Sequence, residues 1–191
     1  MLLIALIAYL VGAIPTGFIV CRLKGINDIR KHGSGNIGAT NVSRVLGKKF
    51  FLLILFIDGL KAFLFLFFLS YLNLSLMTLI LSSVALLVGN RFSCFLKFSG
   101  GKGVGVSLGV FLALCPAAFL SFIFFWIVLF FVTKVVGVAS VVSMILMPIV
   151  GLCFRYDKEL FFLICFMACW TLYTHHNNIT KFLIKIKNRK E

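Results

Sequence analysis

Residues 50–70, FFLLILFIDGLKAFLFLFFLS, decide the fold. As a helix at about 1.5 Å per residue this stretch is about 30 Å long, the thickness of a bilayer's hydrocarbon core. Its only ionisable residues are Asp58 and Lys61. Charges inside lipid are costly and turn toward a bundle interior, and a spacing of three puts both on one helical face. Such a pair either ties helices together or takes part directly in a reaction, and we assign Asp58 and Lys61 supporting roles.

Comparable apolar runs at about 2–21, 74–90, 104–114, 117–133, 135–154 and 160–174 bring the segments to seven. With 62% hydrophobic residues and a mean hydropathy of +1.14, the 191-residue chain reads as an all-α integral membrane protein, a bundle of about seven transmembrane helices. The run at 104–114 is short, and only the break at Cys115-Pro116 separates it from the next. No length remains for a soluble domain, so residues 1–191 read as one transmembrane domain. Met1 to Gly17 holds no Lys or Arg, which predicts a retained span instead of a cleaved signal. The 23 Phe residues suit lipid-facing bulk. Six cysteines (Cys21, Cys94, Cys115, Cys153, Cys165, Cys169) form no C-x-x-C pair and read as packing residues, so the sequence calls for no disulfide, metal or cofactor.

The 19 Lys and Arg against 5 Asp and Glu give a formal charge of +14. In a soluble protein this would suggest nucleic acid; in lipid, loop cations set orientation, touch anionic lipid and bind phosphorylated substrates, and no nucleic acid is expected. Arg22, Lys24, Arg30, Lys31, Arg44, Lys48 and Lys49 mark the first loop as cytoplasmic and place the N-terminus outside. Seven crossings then put the Arg91–Lys102 loop and the tail, with Lys181, Lys185, Lys187, Arg189 and Lys190, inside as well; the Arg155–Glu159 loop falls outside. Fusing the fourth and fifth runs would throw the basic tail outward. Five crossings give the same parity.

Three polar segments stand out. The first runs from Gly33 to Arg44, GSGNIGATNVSR. Glycines let backbone N–H groups converge on phosphate oxygens, Ser34, Thr40 and Asn41 add neutral donors, and Arg44 offers a two-pronged contact. A flexible loop, or a helix start capped by Ser or Thr, explains the same residues equally well. The second is Phe98-Ser99-Gly100-Gly101-Lys102-Gly103, which places a lysine between glycines at the positive end of a following helix. It is not a Walker A loop, because Gly103 stands where Ser or Thr is needed; a positive-inside anchor on a glycine turn is the plain alternative. The third is His175-His176-Asn177-Asn178-Ile179, at the end of the last span. Its adjacent histidines point apart on a helix and make no metal pair. His175 here either shuttles a proton, or donates to phosphate, or is simply an interfacial hydrogen-bonding residue.

An odd number of crossings puts all three segments on one side, so packed helices are expected to gather Ser34, Arg44, Lys102 and His175 around one phosphate-rich pocket beside the bilayer. At this point the residues resemble a family, the bacterial acyl-phosphate:glycerol-3-phosphate acyltransferases called PlsY. The resemblance spans nearly the whole chain and rests on Ser34-Gly35-Asn36-Ile37-Gly38-Ala39-Thr40-Asn41-Val42, Phe98 to Gly103, the Asp58/Lys61 pair and His175 to Ile179.

It implies a single transmembrane acyltransferase domain in the bacterial inner membrane, with its N-terminus outside, its C-terminus and active site cytoplasmic, and the chain expected as a monomer. It implies acyl transfer from acyl phosphate to the 1-hydroxyl of glycerol 3-phosphate, with membrane lipid as the surroundings. We expect Ser34, Lys102, His175 and Asn178 to be catalytic. Phosphate is expected on Ser34, Gly35, Asn36, Gly38, Thr40, Asn41, Arg44, Gly100, Gly101, Lys102 and Gly103, with Asp58, Lys61 and Asn90 in support. The chain departs from the family pattern at Asn90 and Ser93, where His and Pro are usual, and at Lys185-Ile186-Lys187, where an acidic residue is common. Asn90 exchanges no proton near neutrality, so it is given no acid–base role.

A transporter for a phosphorylated solute would also want cations and glycine-broken helices, but its site belongs near the midplane and such folds often show internal repeats. Here the polar residues gather at one face and no repeat is evident. A purely structural membrane subunit would not need glycine-lysine loops.

Overall fold

The structure, a computed structural model, describes the backbone of residues 1–187 and the side chains of residues 1–180. The side chains of the tail cations, and the Lys185-Ile186-Lys187 departure, lie outside this described set. Every apolar run is helical, and among the described residues there is no strand. Five stretches have the length and hydropathy of a membrane span: Leu2–Leu23, Lys49–Tyr71, Leu76–Leu96, Pro116–Thr133 and Val136–Cys153. The run at 104–114 forms an 11-residue helix, about 16 Å long at 1.5 Å per residue and thus shorter than the hydrocarbon core. The chain is a multi-pass membrane protein that divides into two compact units, 1–116 and 117–191.

In the first unit the first span, expected to be continuous, is broken. α1 (Leu2–Ala13) and α2 (Thr16–Leu23) are separated at Ile14-Pro15. Proline has no N–H to donate and pushes the preceding residue out of helical conformation, so Ile14 sits at φ −54°, ψ 114°. The carbonyls at the end of α1 are met by side chains from elsewhere: Ser93 Oγ donates to the Ala13 carbonyl at 2.6 Å, and Lys61 Nζ reaches those of Gly12 and Ile14. A first loop then leads through a 3-10 turn (Ile29–Lys31) to α3 (Ala39–Leu46) and the long α4 (Lys49–Tyr71). α5 (Leu76–Arg91), a second loop with a 3-10 turn at Cys94–Leu96, and α6 (Val104–Leu114) complete the unit.

Lipid gives helices no hydrophobic reason to associate, so close backbone approach through small residues takes over. α6 lies on α4 with Gly105 and Gly109, one turn apart, against Gly59 and Ala62. A Cβ at Gly109 would collide with the Gly59 carbonyl. α1 and α5 meet in the same way, Gly89 lying against the Tyr9 carbonyl. Beneath the first loop an apolar cluster of Ile29, Ile37, Val42, Phe50, Ile54 and Leu96 is buried. Leu96 belongs to the second loop, so both loops share this core.

The second unit holds α7 (Pro116–Thr133), α8 (Val136–Cys153) and α9 (Lys158–Lys187). Pro116 opens α7 at the first helical position, where its missing N–H costs nothing. Trp126 Nε1 donates to Ser140 Oγ at 3.0 Å, joining α7 to α8. α9 packs on α8, with Gly137 facing Asn178 at one end and Gly151 facing Phe161 and Ile164 at the other. Bulky residues such as Phe56, Phe67, Phe124 and Phe162 are exposed on helix surfaces, as lipid contact requires. All six cysteines are free; Cys21 and Cys115 are buried, as packing residues would be, whereas Cys94, Cys153 and Cys169 are exposed.

Candidate active site

The first loop is shaped from within by Asn41. Its side chain, 1% exposed, accepts the Ser34 N–H at 2.7 Å and donates to the His32 and Asn36 carbonyls at 2.9 and 2.8 Å. Asn36 Oδ1 accepts the Gly38 N–H at 2.7 Å, an Asx turn that sets up α3. Gly33 and Gly35 occupy positive φ, +59° and +74°, where other residues are strained. The N–H groups of Ser34, Gly35 and Gly38 therefore donate within the loop, to Asn41, His32 and Asn36. The sequence reading puts these donors and Asn41 on a phosphate; the structure gives them to the loop's own shape. Exposed on this frame are the side chains of Ser34 and Arg44, with Thr40 half-buried. Gly38 starts α3 with no side-chain capping bond, so the proposed Ser or Thr cap is absent.

The second loop is held from α5. Gly101 N–H donates to the Asn90 carbonyl at 2.8 Å. A Cβ at Gly100 would strike the carbonyls of Asn90 and Arg91. Asn90, 6% exposed, thus anchors the glycine pair through its backbone. Two consecutive non-glycine residues, Lys97 and Phe98, sit at φ 55° and 58°, a conformation L-residues rarely adopt. Gly103, φ +84°, caps α6, and half-buried Lys102 stands between it and buried Gly101. Lysine is thereby set at the positive end of a helix with little side-chain bulk around its backbone.

Asp58 and Lys61 form the expected ion pair, 2.7 Å apart in α4. Thr16 Oγ1 donates to Asp58 at 2.8 Å, and Lys61 Nζ to the Ile14 carbonyl at 2.8 Å. The pair therefore pins the break in the first span. The contacts made by Thr16, Ser93 and the Asp28–Arg30 pair were not foreseen from the sequence. Pro15 was the available signal for the first two, since a proline inside an apolar run strands carbonyls that need partners. Arg30 Nη2 lies 2.7 Å from Asp28 Oδ2, and the guanidinium's hydrogen bonds lower the Asp28 carboxyl to about 2.

In the second unit His175 is 3% exposed, and its Nδ1 lies 2.9 Å from the Thr171 carbonyl. A carbonyl only accepts, so Nδ1 carries the proton in this contact. Asn178, one turn on and exposed, rests its amide on Gly137.

A family model described as glycerol-3-phosphate acyltransferase matches residues 2–185. The chain belongs to the glycerol-3-phosphate acyltransferase family. A glycerol-3-phosphate acyltransferase of Fusobacterium nucleatum is 39% identical over 96% of this chain and 94% of its own. One from Thermosipho melanesiensis is 40% identical, covering 96% and 89%. Among solved structures, crystals of PlsY (YgiH), an integral membrane glycerol 3-phosphate acyltransferase, match with a TM-score of 0.90 in the glycerol 3-phosphate form, at 33% identity over 96% of this chain and 92% of that one. The lysophosphatidic acid form matches with a TM-score of 0.88. Within this acyltransferase family Ser93 is one of the positions at which the chain departs from the pattern, and its hydroxyl donates to the Ala13 carbonyl.

Proposed function

We propose that this protein moves a fatty acyl group from acyl phosphate to the 1-hydroxyl of glycerol 3-phosphate, giving lysophosphatidic acid and inorganic phosphate. The observation that carries the reading is Lys102, set between Gly101 and Gly103 at the start of α6, in the same unit as the loop that exposes Ser34 and Arg44. The glycerol 3-phosphate and lysophosphatidic acid bound in the matching PlsY crystals support it. The chain works as one domain and one copy in the bacterial inner membrane. Its basic loops face the cytoplasm, the crossing number is odd and taken as seven, and the N-terminus is outside.

Acyl phosphate is a mixed anhydride with a good leaving group, so the protein's task is to neutralise phosphate charge and align the attacking hydroxyl. Lys102, Arg44, Ser34 and Thr40 hold phosphate, while the backbone at Gly100–Gly103 leaves it room. Gly35, Asn36, Gly38 and Asn41 shape the first loop. Ser34 Oγ, His175 and Asn178 orient the acceptor. The glycerol oxygen attacks the acyl carbon, the bond from that carbon to the phosphate oxygen breaks, and the departing phosphate takes the hydroxyl proton. No acyl-enzyme is needed.

Reconstituted protein given palmitoyl phosphate and glycerol 3-phosphate should yield lysophosphatidic acid and phosphate in equal amounts. Palmitoyl coenzyme A should not replace the donor. Acyl groups trapped on Ser34 would defeat direct transfer, and solute uptake into proteoliposomes without acyl transfer would favour a transporter.

A further inference from the structure

We infer that Arg30 is a positioning residue that locks the Gly100-Gly101-Lys102 segment of the second loop to the first loop by gripping the Leu96 carbonyl. The inference deepens the reading above and rests on it for the role of Lys102. A guanidinium has three edges to satisfy, and those of Arg30 are divided between two loops. Nε and Nη2 face the Asp28 carboxylate, at 2.9 Å to Oδ1 and 2.7 Å to Oδ2, a two-pronged grip that fixes the plane. Nη1 is left to donate to the Leu96 carbonyl at 3.3 Å. The Phe18 ring lies under the cation, 5.7 Å from its centroid.

The residue gripped is well chosen. The Leu96 carbonyl also accepts the Ser99 N–H at 3.2 Å, closing the turn through Lys97 and Phe98. That turn carries both left-handed residues and delivers the chain to Gly100. Strained backbone persists only where its surroundings fix it, and Arg30 supplies part of that fixing. The Leu96 side chain is meanwhile 6% exposed in the cluster with Ile29 and Ile37. Ile29 and Arg30 thus hold one residue of the neighbouring loop by its side chain and its carbonyl. On the other flank a Cβ on Gly35 would come within 3.2 Å of the Arg30 carbonyl, so the Ser34 loop is built against the same residue. Lysine would not substitute, because its ammonium lacks the planar fork that serves two acceptors at fixed angles.

Hydrogen exchange of the full chain in lipid nanodiscs, read by mass spectrometry, tests the tie together with steady-state kinetics. In Arg30→Gln the amides of 98–101 should exchange about tenfold faster, as loss of one charge-assisted hydrogen bond implies. The KM for glycerol 3-phosphate should rise about tenfold while kcat changes little, the pattern of lost binding geometry. Arg30→Lys, which keeps the charge beside Asp28, should protect residues 30–38 yet leave 98–101 loosened. A second loop as protected as in the parent in both variants overturns the tie. Coupled loosening in a protein that makes no lysophosphatidic acid would instead defeat the proposed reaction and leave the tie standing.

Discussion

Lys61 Nζ stands 2.7 Å from the Asp58 carboxylate and 2.8 Å from the Ile14 carbonyl, so one ammonium joins α4 to the broken first span. Thr16 completes the arrangement from the far side of the break. Removing one partner leaves an uncompensated charge in a lipid-embedded bundle, whereas removing both leaves none. Asp58→Asn and Lys61→Met should each destabilise the protein by about 3–5 kcal/mol, and the double variant by less than their sum. Thermal unfolding in one detergent, run on all four proteins, checks this; strict additivity would show that the pair does not act as a unit.

The five stretches of spanning length were legible because a hydrocarbon core demands a length and composition that sequence displays directly, whereas the run at 104–114, counted among seven, is an 11-residue helix. The break at Pro15 was not, since the run around it stays apolar on both sides and hydropathy ignores a missing N–H. The cations and glycines of the loops were legible by type. Their division of labour was not: Asn41 and Arg44 look alike as phosphate donors, and only the fold reveals that the Asn41 amide is consumed by Ser34, His32 and Asn36 while Arg44 is exposed. Arg30 was read only as an orientation charge, and Asp28 was not singled out, because pairing across a 3-10 turn has no periodic signature.

Asn41 should therefore behave as a framework residue. Asn41→Asp keeps an acceptor for the Ser34 N–H but gives up both donors, and each lost hydrogen bond is worth about 1 kcal/mol net. The KM for glycerol 3-phosphate should rise in this variant, with faster amide exchange across 33–38. Unchanged exchange would return Asn41 to the list of direct ligands.

Lys102 should behave oppositely. Losing a preorganised donor to developing phosphate charge typically costs about 10²–10³ in kcat. Lys102→Ala should fall in that range with unfolding temperature unaltered, because the backbone of the turn is set by Asn90 and Gly101. Full activity in this variant would remove the lysine from the chemistry.

Acid should loosen the first loop through Asp28. Its carboxyl lies at about 2 in the folded protein against about 3.9 in an unfolded chain. A carboxyl lowered on folding contributes stability that is complete above the unfolded value and is lost as pH falls through the folded one. The difference in melting temperature between the parent and Asp28→Asn should hold steady above pH of about 4 and vanish toward pH of about 2. A difference that persists there would assign the effect to packing instead of charge.

Gly137 and Gly109 allow packing and catalysis to be separated. At Gly109 an added methyl would meet the Gly59 carbonyl, which is backbone, so Gly109→Ala must push α4 and α6 apart. At Gly137 the obstacle is the Asn178 Nδ2, 2.8 Å from the new Cβ and at the far end of a mobile side chain. Gly137→Ala should thus fold with nearly parental stability, within about 0.5 kcal/mol, yet lose acyl transfer because the amide one turn beyond His175 is displaced. Gly109→Ala should lose at least about 1 kcal/mol from overpacking and lose activity only as folded protein is lost. Unfolding curves and activity per folded molecule measured on both variants decide the matter: if Gly137→Ala keeps full activity, Asn178 has no part in orienting the acceptor.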